Sequence, residues 1–120
     1  MRFVFSRMPQ AAAGALACGM LWALSSAGSV AVAQDADQLE QGKQLFLQDT
    51  VPTCATCHTL ADAGATGPVG PDLDDLQPDR DQVLAALRDG PGAMPSFADG
   101  LNEEQMEALA AYVVAAASGH

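Results

Sequence analysis

The chain has 120 residues, 49% of them hydrophobic and 17% charged, with a net charge of −10 at pH 7. All 15 acidic residues lie after Ala33, where only Lys43, Arg80 and Arg88 oppose them, so residues 34–120 carry a net charge of −12. A surface of that sign repels nucleic acid and anionic membranes and favours a partner with a basic docking patch, although the same charge also serves plain solubility.

The first 33 residues read as a secretory signal peptide. Arg2 and Arg7 form a basic start, Ala11 to Leu24 an apolar stretch, and Ala31-Val32-Ala33 a small-x-small cleavage site. The apolar stretch is too short to span a bilayer comfortably, which argues against an uncleaved anchor and leaves no membrane span after cleavage. Cys18 follows Ala15 by three and has apolar sequence beyond it, so it reads as a bystander in the removed segment rather than a lipid site. The expected organisation is a signal peptide, 1–33, and one periplasmic domain, 34–120. That domain has 87 residues, below the size at which an ordinary core is secure.

In chain order, the first expected helix runs from about Ala36 to Gln48, with Leu39, Gly42 and Phe46 at helical spacing on one face. A glycine there costs about 1 kcal/mol against alanine. It makes sense where another backbone crosses closely, and the last helix around Tyr112 is the candidate. Next comes Cys54-Ala55-Thr56-Cys57-His58, the attachment pattern of a covalently bound c-type haem. Two thiols three apart share one face of a helical turn and can add to the two vinyl groups of one porphyrin. His58, directly after the second anchor, supplies the proximal iron ligand. A thioredoxin-like dithiol would need a βαβ pattern, which is missing. Zinc would need four ligands, whereas residues 34–120 offer two cysteines and two histidines, one of them the terminal His120. His120 reads as a solvated chain end rather than a ligand. A haem linked at two points would also serve this small domain as both core and staple.

From Thr59 to Pro78 the chain has no period, no strand pattern and many glycines and prolines. Such a stretch has a natural task as an Ω-like loop around the haem. The second helix starts at an Asp79 cap three before Gln82, turns Val83, Leu84 and Leu87 inward and stops at Gly90. Gly90 to Phe97 forms another loop, with Met94 between turn residues. In the third helix Asn102 is the cap, Gln105 its reciprocal partner and Leu101 a staple to Met106. Met106, Leu109, Tyr112, Val113 and Ala116 make its buried stripe.

The order Gly42-Lys43-Gln44-Leu45-Phe46, then CATCH, then Gly70-Pro71-Asp72-Leu73, then Met94-Pro95, then Ala108 to Val113 resembles a small class I bacterial cytochrome c across essentially the whole of residues 34–120. The resemblance implies an all-α class I cytochrome c fold, about three main helices with Ω-like loops wrapped around one covalent haem c. It implies His58 and Met94 as axial ligands, the carbonyl of Pro71 accepting from the proximal imidazole, and a crossing of first and last helices at Gly42 and Tyr112. Methionine is ordinarily core filler. That reading suits Met106 on its amphipathic helix better than Met94 in its loop. Phe46, Phe97 and Tyr112 read as packing residues.

Two departures from better-known relatives stand out. Only 36 positions separate His58 from Met94, giving a short distal loop, and the lysine-rich docking ring of mitochondrial cytochrome c is absent. The string VPTCATCHTL, DAG, GPVGP and GAMPSF is most similar to the cytochrome subunits of periplasmic sulfite dehydrogenases. The implied role is a carrier of single electrons, not an enzyme by itself, between a dehydrogenase and a downstream cytochrome or oxidase. The implied donor is a molybdenum-containing sulfite dehydrogenase. The alternative is a haem-based gas-binding sensor or weak peroxidase, should the sixth ligand site be open. No distal histidine or arginine near Met94 supports peroxide chemistry.

Overall fold

A computed structural model describes the backbone of residues 27–119 and the side chains from Asp35 to Gly119. Residues 1–26, which hold the basic and apolar parts of the expected signal peptide, lie outside the described residues, as does His120. The described elements are α1 (Ala27–Gln44), α2 (Cys54–Cys57), β1 (Thr59–Leu60), β2 (Ala65–Thr66), α3 (Leu73–Leu76), α4 (Arg80–Asp89) and α5 (Glu103–Ser118). A π-wound turn, Leu45–Asp49, ends α1, and a 3-10 turn, Ala61–Ala63, joins the strands.

The three expected helices are α1, α4 and α5. Asp79 accepts from Gln82 N while the Gln82 side chain accepts from Asp79 N, a complete capping box on α4. Asn102 and Gln105 do the same for α5. Each box satisfies backbone donors that a helix start otherwise leaves without partners. At the far end of α4, Gly90 takes φ 61°, the left-handed position that closes a helix.

The first helix departs from expectation in both extent and face. It starts at Ala27, earlier than the expected Ala36, and its backbone runs through residues 31–33. Leu39, expected to face inward, is 36% exposed. Gln38 and Gln41 line a cleft with Glu104 of α5, so the face toward α5 is set one residue away from Leu39. Leu39 is the only large apolar side chain on this part of the helix, which is why spacing alone favoured it. Further on, Leu45 and Phe46 are both buried at the widened turn, where the Thr50 hydroxyl donates to Leu45 O at 3.1 Å.

The Gly/Pro-rich stretch after His58 is more ordered than its composition suggests. Thr59 pairs with Thr66 and Leu60 with Ala65 in a short antiparallel ladder, contrary to the expectation of no strand. Two-residue strands are too short to show a period of two. They nonetheless bury Leu60 and Ala65 in the core. Asp72 then accepts from Asp74 N at 2.9 Å and starts the single turn of α3, an element the sequence also left as loop.

The α1–α5 contact is the principal helix packing. It is close because Gly42 has no side chain. A Cβ at that position would lie 2.5 Å from Tyr112 Cβ and would collide with Ala108 O. Phe46 and Tyr112 meet edge to face beside the crossing, with ring centroids 6.0 Å apart. Met106, Leu109, Tyr112, Val113 and Ala116 are all buried, as the stripe requires.

Gly42→Ala is therefore expected to destabilise the protein by about 2 kcal/mol through overpacking, despite alanine's better helix propensity. Denaturant unfolding at unchanged slope measures this, and a more stable variant would refute the close crossing.

Candidate functional site

The motif residues fold as one tight turn. His58 N donates to Cys54 O at 2.9 Å, closing α2, and Thr53 and Thr56 link hydroxyls at 2.8 Å across its outer side. Cys54 and Cys57, both free thiols, therefore stand one turn apart on a common face. Burial holds the Cys54 thiol above its ordinary value of 9.0, and a contact with Thr50 offsets part of that rise. The Thr50 hydroxyl lies 3.7 Å from Cys54 Sγ.

The chain then folds back under the motif. Val69 N and Gly70 N both donate to Cys57 O, at 3.1 and 2.7 Å, and Gly67 N donates to His58 O at 3.2 Å. This return demands glycine. A Cβ on Gly67 would sit 2.5 Å from Cys57 C, and one on Gly70 would sit 2.6 Å from His58 Cε1. The next residue presents its carbonyl to the imidazole, with His58 Nδ1 2.8 Å from Pro71 O. A carbonyl only accepts, so Nδ1 carries a proton, and Nε2 is the nitrogen left to ligate.

Cys54, Cys57, His58, Pro71 and Met94 all line one cavity of about 500 Å³. Its walls come from every main element: Phe46 after α1, Leu73 and Leu76 of α3, Val83 and Leu87 of α4, Phe97, and Leu109 and Val113 of α5. Apart from the thiols, its polar side chains are Thr53, His58 and Gln82. Met94 is half-buried in the loop after α4. A cavity of this size with apolar walls, two free thiols on one turn and an imidazole with Nε2 left to ligate fits a covalently held haem.

A second network fixes the site to the helix crossing. Tyr112 OH donates to Asp62 Oδ2 at 2.7 Å, and Lys43 Nζ donates to the same oxygen at 3.1 Å and to Asp62 O at 3.1 Å. Lys43 also lies 5.9 Å from the Tyr112 ring centre. Asp62 belongs to the turn between β1 and β2, and β1 directly follows His58. Ring burial, then the hydrogen bond and charge of Asp62, with Glu40 and Asp74 beyond it, push the Tyr112 phenol well above 10.0. The sequence placed Tyr112 at the crossing, but nothing in it marked Asp62 or Lys43 as partners. Thr50 and Gly67 are likewise unmarked, and Gln82 is marked only as the partner of the Asp79 cap.

Fold and site together define a small class I cytochrome c, whose cofactor is covalently bound haem c. The chain belongs to the family described as cytochrome C oxidase, cbb3-type, subunit III, which it matches over residues 37–113. It is 30% identical over 74 residues to cytochrome c-551 of Halorhodospira halochloris, spanning 61% of this chain and 94% of that one. It is also 31% identical over 87 residues to the quinohemoprotein alcohol dehydrogenase ADH-IIG of Pseudomonas putida, covering 70% of this chain but 11% of that protein. Among solved structures it resembles the c-type cytochrome SorU from Sinorhizobium meliloti, with a TM-score of 0.66 and 48% identity over 68% of this chain and 93% of the other.

Tyr112→Phe is expected to cost roughly 1 kcal/mol at neutral pH through loss of the hydrogen bond to Asp62. Because the folded phenol ionises later than the unfolded one, its contribution is whole below about pH 10 and is lost as the pH rises through the folded value. The stability gap between the natural protein and the variant should therefore narrow in alkali. Unfolding curves at neutral and alkaline pH test this, and a gap that widens with pH contradicts it.

Proposed function

We propose that this cytochrome carries single electrons in the periplasm from a dehydrogenase to a downstream cytochrome or oxidase, with His58 and Met94 as axial ligands. The observation that carries the reading is the convergence of both thiols, His58 and Met94 on one apolar cavity. The bound haem supplies a one-electron ferric–ferrous couple. This chain's residues do the rest. Cys54 and Cys57 hold the group covalently, and Pro71 O keeps the imidazole oriented with Nε2 available. The Met94 thioether favours the ferrous state, and the apolar walls exclude water, which raises the potential further. Were His58 and Met94 both to hold the iron, no coordination site would be left for a substrate.

The edge of the cavity supports electron exchange by contact. Val69 is 66% exposed, Leu76 54% and Val51 94%, and each either lines the cavity or adjoins Pro52, which does. Across residues 35–119 the charge is one-sided. Lys43 pairs with Asp62, Arg80 with Asp81 and Glu107, and Arg88 with Glu103. The three cations of residues 35–119 are thus each matched by a carboxylate, and the remaining acidic residues favour a partner with a basic face. The resemblance of the VPTCATCHTL and GAMPSF strings supports a molybdenum-containing sulfite dehydrogenase as that donor. Residues 1–33 suit export, with cleavage after Ala33 removing the first part of α1. No helix among the described residues is long and apolar enough to cross a membrane.

The ferric protein is expected to show the weak long-wavelength sulfur-to-iron band, and the reduced protein to refuse carbon monoxide. Met94→Ala should keep the haem attached, lose the band, bind carbon monoxide and lower the potential. If the variant matches the natural protein in all three, Met94 is not the ligand; if the natural protein itself lacks the band and binds carbon monoxide, the gas-binding reading takes its place.

Electron transfer from a sulfite dehydrogenase reduced by sulfite should slow by about tenfold between about 0.01 and 0.15 M ionic strength. A rate indifferent to salt would remove the basic-partner reading.

A further inference from the structure

The loop that carries Met94 is laid against the C-terminal end of α4. Gly90 makes the approach possible, since a Cβ there would lie 2.5 Å from Ser96 N and 2.8 Å from Met94 O. Within the loop, Met94 N donates to Pro91 O at 3.1 Å. Phe97 N reaches back to Leu87 O at 2.8 Å. Between these two, the Ser96 hydroxyl donates to Arg88 O at 2.6 Å and accepts from Ala98 N at 3.3 Å. The carbonyls of Leu87 and Arg88 belong to the last turn of α4, where no helical donor follows to satisfy them. Arg88 is itself anchored, its side chain pairing with Glu103 at 2.7 Å on the first turn of α5. The only side-chain hydrogen bond from this loop to α4 among the described residues is therefore the one made by Ser96.

We propose that Ser96 is a positioning residue for Met94, its hydroxyl fixing the loop on α4 and so setting how firmly Met94 is kept at the iron. The inference rests on Met94 being the sixth ligand. Ser96 is exposed and is not itself a lining residue of the cavity, so its effect on Met94 runs through the loop. Release of the Met94 thioether would be eased by movement of the loop off α4, and the hydroxyl opposes that movement with one hydrogen bond. An external ligand such as imidazole binds in proportion to the fraction of molecules in which Met94 has left.

Ser96→Ala in the haem-loaded protein should bind imidazole about 2- to 10-fold more tightly in the ferric state, the factor that one net hydrogen bond supplies. The sulfur-to-iron band reports the displacement directly. Ser96→Thr keeps the hydroxyl and should bind imidazole as the natural protein does. A serine that only stabilises the fold would change the unfolding midpoint and leave imidazole affinity untouched, and that result overturns the proposal. So does an equal gain in affinity for both variants, which would exclude the hydroxyl as the cause. If the natural protein lacks the sulfur-to-iron band, the Met94 assignment fails and this inference falls with it. With the band present and the alanine variant unchanged, the proposal alone fails.

Discussion

The close crossing of α1 over α5 at Gly42 is the constraint on which the remaining structure depends. With no Cβ between them, the α1 backbone lies against Ala108 and Tyr112. That contact sets where Phe46 on one side and Leu109 and Val113 on the other stand as cavity walls. It also delivers Tyr112 and Lys43 together to Asp62. Through Asp62 the β1–β2 turn is tied down, and β1 continues directly from His58. Gly42 and the His58 segment are thus joined through Tyr112, Asp62 and β1.

The proximal side is held chiefly by main chain. Cys57 O accepts two backbone donors, His58 O accepts a third, and Pro71 O orients the ring. Side-chain identity in this loop matters mainly where it must be nil, at Gly67 and Gly70. The side that carries Met94 is built differently. There, beyond the Gly90 cap, one backbone bond from Phe97 N to Leu87 O and one hydroxyl pin the loop to a helix end. The imidazole side thus has more main-chain support than the methionine side, and local opening favours segments with fewer such contacts.

What could be read from sequence were features written in a few adjacent residues. The haem motif, both capping boxes and the left-handed stop at Gly90 are local patterns with local causes. Gly42 was legible because a glycine inside a helix is costly enough to need a reason. Leu39 failed for the opposite cause, since the face of α1 is chosen by α5 and not by its own apolar content. The β1–β2 ladder and α3 fell below the length at which a period can be detected. Asp62, nineteen residues from Lys43 and fifty from Tyr112, owes its role to contacts that no spacing rule encodes. Thr50 and Ser96 are small hydroxyl residues with nothing in their neighbourhood to set them apart.

The acidic surface gains its meaning from where the few cations go. Arg80 and Arg88 bind carboxylates of α5, Lys43 binds Asp62, and none of the three lines the cavity. Exposed ion pairs of this kind add little stability individually. Their larger effect is to take every positive charge of residues 35–119 into internal pairs, leaving carboxylates to dominate the outward field. Val51, Val69 and Leu76 then offer an uncharged contact at the cavity edge. In the proposed role, long-range charge would select and orient the partner, while the short-range apolar edge would bring the two redox centres together. Separating the two tasks suits fast binding and fast release, which a carrier meeting first a donor and then an acceptor requires.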